Sequence, residues 1–232
     1  VDMDAFIDRE RSMYGETADD EKDIDDEIEQ GKTQVKAWMN AYHLNRWSNQ
    51  DNYVEVGIEK KALQGVFESP CMLKSVGLAP YKGYPSITFL HEASIRFQDA
   101  IRNGKKAILL YFGDYDPSGE DIPRSIETNL RRMGVDIEVK RLALLPEQIE
   151  EMNLPGVPPK HTDTRTRNWS GGSVVELDAV EPKTLAKMCK DAIEEYFDRD
   201  AYAELKETET EERRVYIQSL KEFVESLSDK EE

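Results

Sequence analysis

The run Ala107-Ile108-Leu109-Leu110-Tyr111-Phe112 is the most apolar in the chain, and Gly113-Asp114-Tyr115-Asp116-Pro117-Ser118-Gly119 follows it at once. A short unbroken apolar run closed by turn residues is the pattern of a buried strand. This strand delivers two carboxylates to one loop. Successive side chains alternate in extended backbone, so Asp114 and Asp116 point the same way and can grip one hard cation. At roughly 4 Å two like charges repel by about 1 kcal/mol in water and about 4 at an effective dielectric near 20, which favours a divalent metal between them.

A second acid belongs with that pair. Val54-Glu55-Val56-Gly57-Ile58-Glu59 alternates apolar and other residues, and Lys60-Lys61-Ala62-Leu63 then changes to helical spacing, with Glu59 at the change. Ligands of open α/β sheets bind beyond the carboxyl ends of the strands, where Glu59, Asp114 and Asp116 would share a cleft if their strands are parallel neighbours.

Between residues 53 and 145 strand-like and helix-like stretches alternate, which predicts parallel strands joined by right-handed crossovers. The expected elements begin with a strand over Tyr53–Ile58, a helix with Ala62, Leu63, Val66 and Phe67 on one face, and a short strand near Met72–Val76. Ser86 is expected to cap a helix carrying Phe89, Ala93 and Phe97 that stops at Asn103-Gly104. After the strand Ala107–Phe112, Asp116 or Ser118 should cap a helix striped by Ile122, Ile126, Leu130 and Met133, and a strand over Val135–Val139 should follow Gly134. Residues 1–52 read as a polar helical extension anchored by Trp38, Tyr42 and Trp47. Residues 146–232 read as an appendage: turn-rich at first, strand-like at Val174–Asp178, then helical from Pro182 and again from about Glu209 to Leu227.

In 232 residues no apolar run approaches the roughly 20 needed to span a membrane, and no charged-then-apolar leader opens the sequence, which predicts a cytoplasmic protein without membrane contact. Association with the nucleoid is compatible with that location. Cys71 and Cys189 lack metal-ligand spacing and are expected as reduced thiols. The opening Val1 predicts that residues upstream have been removed. A net charge of −17 argues against nucleic acid bound over the whole surface, so any such ligand must be held locally.

A Glu-Lys at the end of one strand and a later strand ending Gly-Asp-x-Asp-Pro-x-Gly resembles the Toprim domain of topoisomerases, bacterial primases and some nucleases. The forms around Glu59 and Asp114 are closest to the A subunit of topoisomerase VI and the related meiotic double-strand-break protein. The resemblance covers about residues 53–145 and implies a Rossmann-like Toprim fold: a parallel central sheet flanked by helices. It further implies a Mg²⁺ site, with Mn²⁺ as substitute, in which Asp114 and Asp116 hold the metal while Glu59 completes the shell or acts as general acid/base. The expected reaction is cleavage or strand transfer of DNA phosphodiesters, as a topoisomerase-like isomerase or as a nuclease. The tyrosine that cleaves DNA in type IIB topoisomerases lies in a domain preceding this one; Tyr14 and Tyr42 are the upstream candidates, and neither is assigned.

Lys160, Arg165 and Arg167 form a locally basic stretch ending at Trp169, suited to phosphates and one stacked base, although an ordinary solvated loop is the slightly favoured reading. Lys60 adjoins the acid, and Lys82 and Ser86 flank Gly83-Tyr84-Pro85, where a helix start favours anions. Glu176 and Asp178 repeat the alternate-carboxylate spacing as second-rank candidates. DNA is the expected partner; a homodimer and a separate partner subunit both remain open. A DNA-binding or assembly subunit that keeps the fold without chemistry is the alternative. A haloacid-dehalogenase-type phosphatase shares the Asp-x-Asp, but no convincing set of its later elements is found.

Overall fold

The computed structural model describes residues 23–158 and 172–228. The chain divides into two compact units, residues 44–209 and a second formed from 1–43 with 210–232. The larger unit is α/β. Strands β1 (Asn52–Ile58), β2 (Gly77–Pro80), β3 (Lys106–Phe112) and β4 (Glu138–Ala143) form one all-parallel sheet in the order β2-β1-β3-β4.

Helices cover both faces of this sheet, which is why β3 reads as uninterrupted apolar sequence. Ile108 through Phe112 are each 0% exposed. On one face Val56, Ile58, Leu110 and Phe112 pack with Phe67 of α2 (Gln64–Lys74) and Leu185 of α6 (Pro182–Glu195). On the other, Leu109 and Tyr111 meet Phe97 of α3 (Ile87–Arg102) and Ile122 and Ile126 of α4 (Pro117–Arg132). Each such Leu, Ile or Phe contributes about 1.5–3 kcal/mol by leaving water. The free thiols of Cys71 and Cys189 lie 4.0 Å apart in the first of these layers.

Several elements differ from expectation. The strand expected near Met72–Val76 is helix through Lys74: Phe67, Pro70 and Cys71 form the buried face of α2, whereas Met72 and Leu73 are 75% and 63% exposed. Ser75, left-handed at φ 55°, ends that helix, and the ladder starts two residues on with Glu55 opposite Gly77. The strand expected over Val135–Val139 begins only at Glu138; Val135 and Ile137 are buried against the α4 side before pairing starts. A short helix, α5 (Pro146–Glu151), occupies the stretch expected as turns, with Pro146 at its first position, where proline lacks only a hydrogen bond that a helix start cannot make. Val174 and Val175 make isolated antiparallel bridges to Val157 and Tyr115, and a 3-10 turn over Leu177–Ala179 follows.

The alternation in β1 also has a different meaning from a half-exposed strand. Glu55 is 2% exposed and is held by Arg96 of α3 through two hydrogen bonds, 2.7 and 3.0 Å, with Tyr53 Oη donating at 2.7 Å. Gly57 leaves room for the Tyr81 ring, since a Cβ there would lie 2.9 Å from it.

The smaller unit holds α1 (Ile24–Ala41) and the distal part of α7 (Arg199–Ser228), a helix that begins ten residues before the expected Glu209. No residue of α1 is buried, and Trp38, expected as an anchor, is 62% exposed, in contrast to Trp47 at 6% in the larger unit. Tyr42 meets this α7 segment, its ring 5.4 Å from that of Tyr216 and its carbonyl accepting from Arg213. Among the described residues no helix is long and apolar enough to cross a membrane.

Candidate functional site

The connection after β1 runs to β2 on one side of it, whereas the connection after β3 runs to β4 on the other, so the sheet reverses direction between β1 and β3. In open α/β sheets such a reversal is where ligands bind, beyond the carboxyl ends of the strands. Glu59 follows β1 directly, and Gly113-Asp114 follows β3. The amide of Glu59 donates to Phe112 O at 2.9 Å, carrying the ladder one residue further.

The Glu59 carboxylate then turns across to the neighbouring loop, where Oε2 accepts from the Asp114 amide at 2.9 Å. Gly113 is required by this approach: a Cβ there would stand 2.7 Å from Glu59 Oε2 and 2.6 Å from Tyr111 Cε1. Asp116 is the N-cap of α4, with Oδ1 accepting from the Gly119 amide at 2.6 Å and Pro117 opening the helix. Gly119 is packed closely too, since a Cβ would fall 2.2 Å from Asp114 O. The turn-and-cap role open to these residues in the sequence is therefore real, and it coexists with the bond that ties the Asp114 amide to Glu59.

Asp114 Oδ1 accepts from the Leu177 amide at 2.7 Å and lies 3.5 Å from Lys60 Nζ. The same ammonium reaches Glu176 at 2.8 Å and Asp178 at 3.4 Å. Lys60, expected at a nucleic-acid surface, is thus spanned by three carboxylates, and the second-rank acids reach the site through it.

The electrostatics follow from this crowding. Glu59 is pushed up to about 7, by burial first; the Asp114 amide opposes the rise, and the charges of Asp114 and Asp116 add to it. Asp114 is also raised, mainly by burial, against the pull of the Leu177 amide and Lys60. Burial tends to lower Lys60, but its carboxylate partners outweigh that and hold it above the ordinary lysine value.

Two residues of the site were not expected. Tyr111 and Arg141 are register partners on β3 and β4, and Arg141 Nη2 donates to Asp114 O at 2.7 Å. Burial lowers Arg141, while Glu120, Tyr111, Glu59 and Asp116 pull it back up. Tyr111 was legible as the one polar side chain in an apolar run; Arg141 was hidden by the misplaced start of β4.

The remaining expected residues are placed as follows. Tyr81 N donates to Ile58 O at 2.7 Å, which brings the loop bearing Lys82 to the same sheet edge, and Lys82 is exposed. Ser86 Oγ accepts from the Phe89 amide at 3.2 Å and so serves its helix. Lys160, Arg165 and Arg167, like Tyr14 and Trp169, lie outside the described residues.

The donor set suits a hard cation in chemistry. Each of Glu59, Asp114 and Asp116 uses one named oxygen in the bonds above, and Glu59 Oε1, Asp114 Oδ2 and Asp116 Oδ2 make none of them. As the side chains stand, no group of three or more His, Cys, Asp or Glu among the described residues already forms a metal-ligand set. Compared with models of protein families, with curated proteins and with solved structures, the chain gives no match.

Proposed function

We propose that the larger unit is a Toprim-type domain and that the protein cleaves or transfers DNA phosphodiesters with Mg²⁺. The observation that carries this reading is the bond from the Asp114 amide to Glu59, which joins the acid after β1 to the acidic loop after β3 at the point where the sheet reverses direction. Without it, Asp114 and Asp116 would be an ordinary turn before a helix.

Asp114 and Asp116 would hold the ion, and Glu59 would complete its shell or exchange a proton. When bound, Mg²⁺ supplies positive charge for the phosphate and polarises its oxygens. The chain's own contribution is to keep the acids desolvated and close, so that Glu59, raised to about 7, can hold or release a proton near neutrality. Because the carboxylates must turn from their present bonds to surround an ion, binding is expected to be weak.

A second reading has one observation in its favour: Lys60 offsets the charge of Asp114 without any metal, as suits a DNA-binding or assembly subunit that has no chemistry of its own. Calorimetric titration with Mn²⁺ separates the two. Asp114→Asn and Asp116→Asn keep the hydrogen-bond acceptors and remove the charges, and each should weaken Mn²⁺ at least about tenfold. Equal affinity in wild type and both variants removes the metal site. Nicking of supercoiled plasmid without a covalent adduct then indicates a nuclease, and DNA trapped on tyrosine a topoisomerase-like enzyme.

A further inference from the structure

Buried polar groups in folded proteins nearly always have partners, and a buried donor left without one costs about 1–3 kcal/mol. Among the described residues three such atoms have none: Tyr81 Oη, Tyr111 Oη and Arg141 Nε. The Tyr81 hydroxyl is pushed up chiefly by burial, and the charges that act on it are those of Glu55 and Arg96, not of the acidic loop. The other two belong to adjacent register partners at the carboxyl end of the sheet.

Their surroundings bring them to the site. Tyr111 is 0% exposed, and its hydroxyl lies 3.0 Å from the point that a Cβ on Gly113 would occupy, a point 2.7 Å from Glu59 Oε2. Arg141 Nη2 is spent on Asp114 O at 2.7 Å. Nε shares that edge of the guanidinium plane, so its proton is directed to the same side. Neither atom makes a hydrogen bond, although the charges of Glu59, Asp114 and Asp116 act on Tyr111 and those of Glu120, Glu59 and Asp116 act on Arg141. A hydroxyl and a guanidinium N–H left idle beside acids fit an acceptor-rich group that arrives from outside. The planar guanidinium matches the geometry and charge of phosphate oxygens as it does those of a carboxylate.

We propose that Tyr111 Oη and Arg141 Nε form an oxyanion-binding pair that takes a non-bridging oxygen of a nucleic-acid phosphate, opposite the metal-binding carboxylates. The pair is closed from solvent in the present arrangement, and the oxygen reaches it as Glu59 leaves the Asp114 amide. This rests on the reading of the carboxylate site given above and adds to it the half of the site that holds the anion.

The test uses the full chain, inorganic phosphate as probe, and the Arg141 Nε–Hε signal in NMR, with Mn²⁺ affinity measured separately by calorimetry. Phosphate should shift that signal. Tyr111→Phe should weaken phosphate about fivefold and Arg141→Lys, which keeps the charge and loses the fork, about tenfold or more, with Mn²⁺ affinity unchanged in both. Tyr111→Phe should also be at least as resistant to urea as wild type, because the lost oxygen has no partner to leave behind. Phosphate affinity unchanged by both substitutions overturns the proposal, as does a Tyr111→Phe protein that unfolds more readily. A fall in Mn²⁺ affinity that accompanies the fall in phosphate overturns it too, since Arg141 would then act through the Asp114 carbonyl. Wild type that binds Mn²⁺ but not phosphate sinks this inference alone; phosphate held by the pair without Mn²⁺ binding sinks the metal reading alone.

Discussion

Glu59 is the residue whose ionisation the fold resists. Its value of about 7 stands above the 4.5 of an ordinary glutamate, so the folded state prefers the protonated acid. The stability this lends is fully present below about pH 4.5 and is lost as pH rises through about 7; raised Asp114 contributes in the same direction. Urea midpoints measured in chelator should therefore fall across that window in wild type and fall less in Glu59→Gln. Parallel profiles would mean that Glu59 is not strained by its neighbours. Asp114 stood out in the sequence because an apolar run gives way there to glycine and acid, and Glu59 because alternation gives way there to helical spacing. Arg141 did not, since cross-strand register depends on where pairing begins, and β4 begins three residues later than its apolar alternation suggests.

At the scale of elements, α3 and β1 are joined by a buried ion pair that a hydropathy pattern cannot distinguish from a solvent-facing acid. Arg96 keeps its side chain 43% exposed while that of Glu55 is only 3% exposed, so the two partners are unequal. Removing the arginine strands a carboxylate in the core and should cost about 3–5 kcal/mol, whereas Glu55→Leu lets the guanidinium turn to water and should cost far less. Urea unfolding of Arg96→Ala and Glu55→Leu reads the difference, and equal losses would count against it. Caps and stripes were the legible features: Ser86 and Asp116 open their helices as their spacing implies. Exposed apolar residues misled, because Met72 and Leu73 carry strand-like composition on the solvent side of a helix.

For the molecule as a whole, the sheet unit extends beyond the 53–145 span that carries the resemblance, because α6 supplies one of its covering layers. A chain cut to residues 44–209 should fold cooperatively and keep the Mn²⁺ affinity of the whole, as judged by urea unfolding and calorimetry. A non-cooperative transition would show that the unit depends on the rest. In the full chain this unit is an insertion, since residues 1–43 and 210–232 belong together. Helix α1, with no buried residue of its own, therefore leaves the ribosome before the sheet and meets its companion segment only after the entire sheet has been made. At about 5–20 residues per second that is a wait of roughly ten to thirty seconds. During it the exposed indole of Trp38 has no companion from its own unit, and a helix made before the sheet is placed after it.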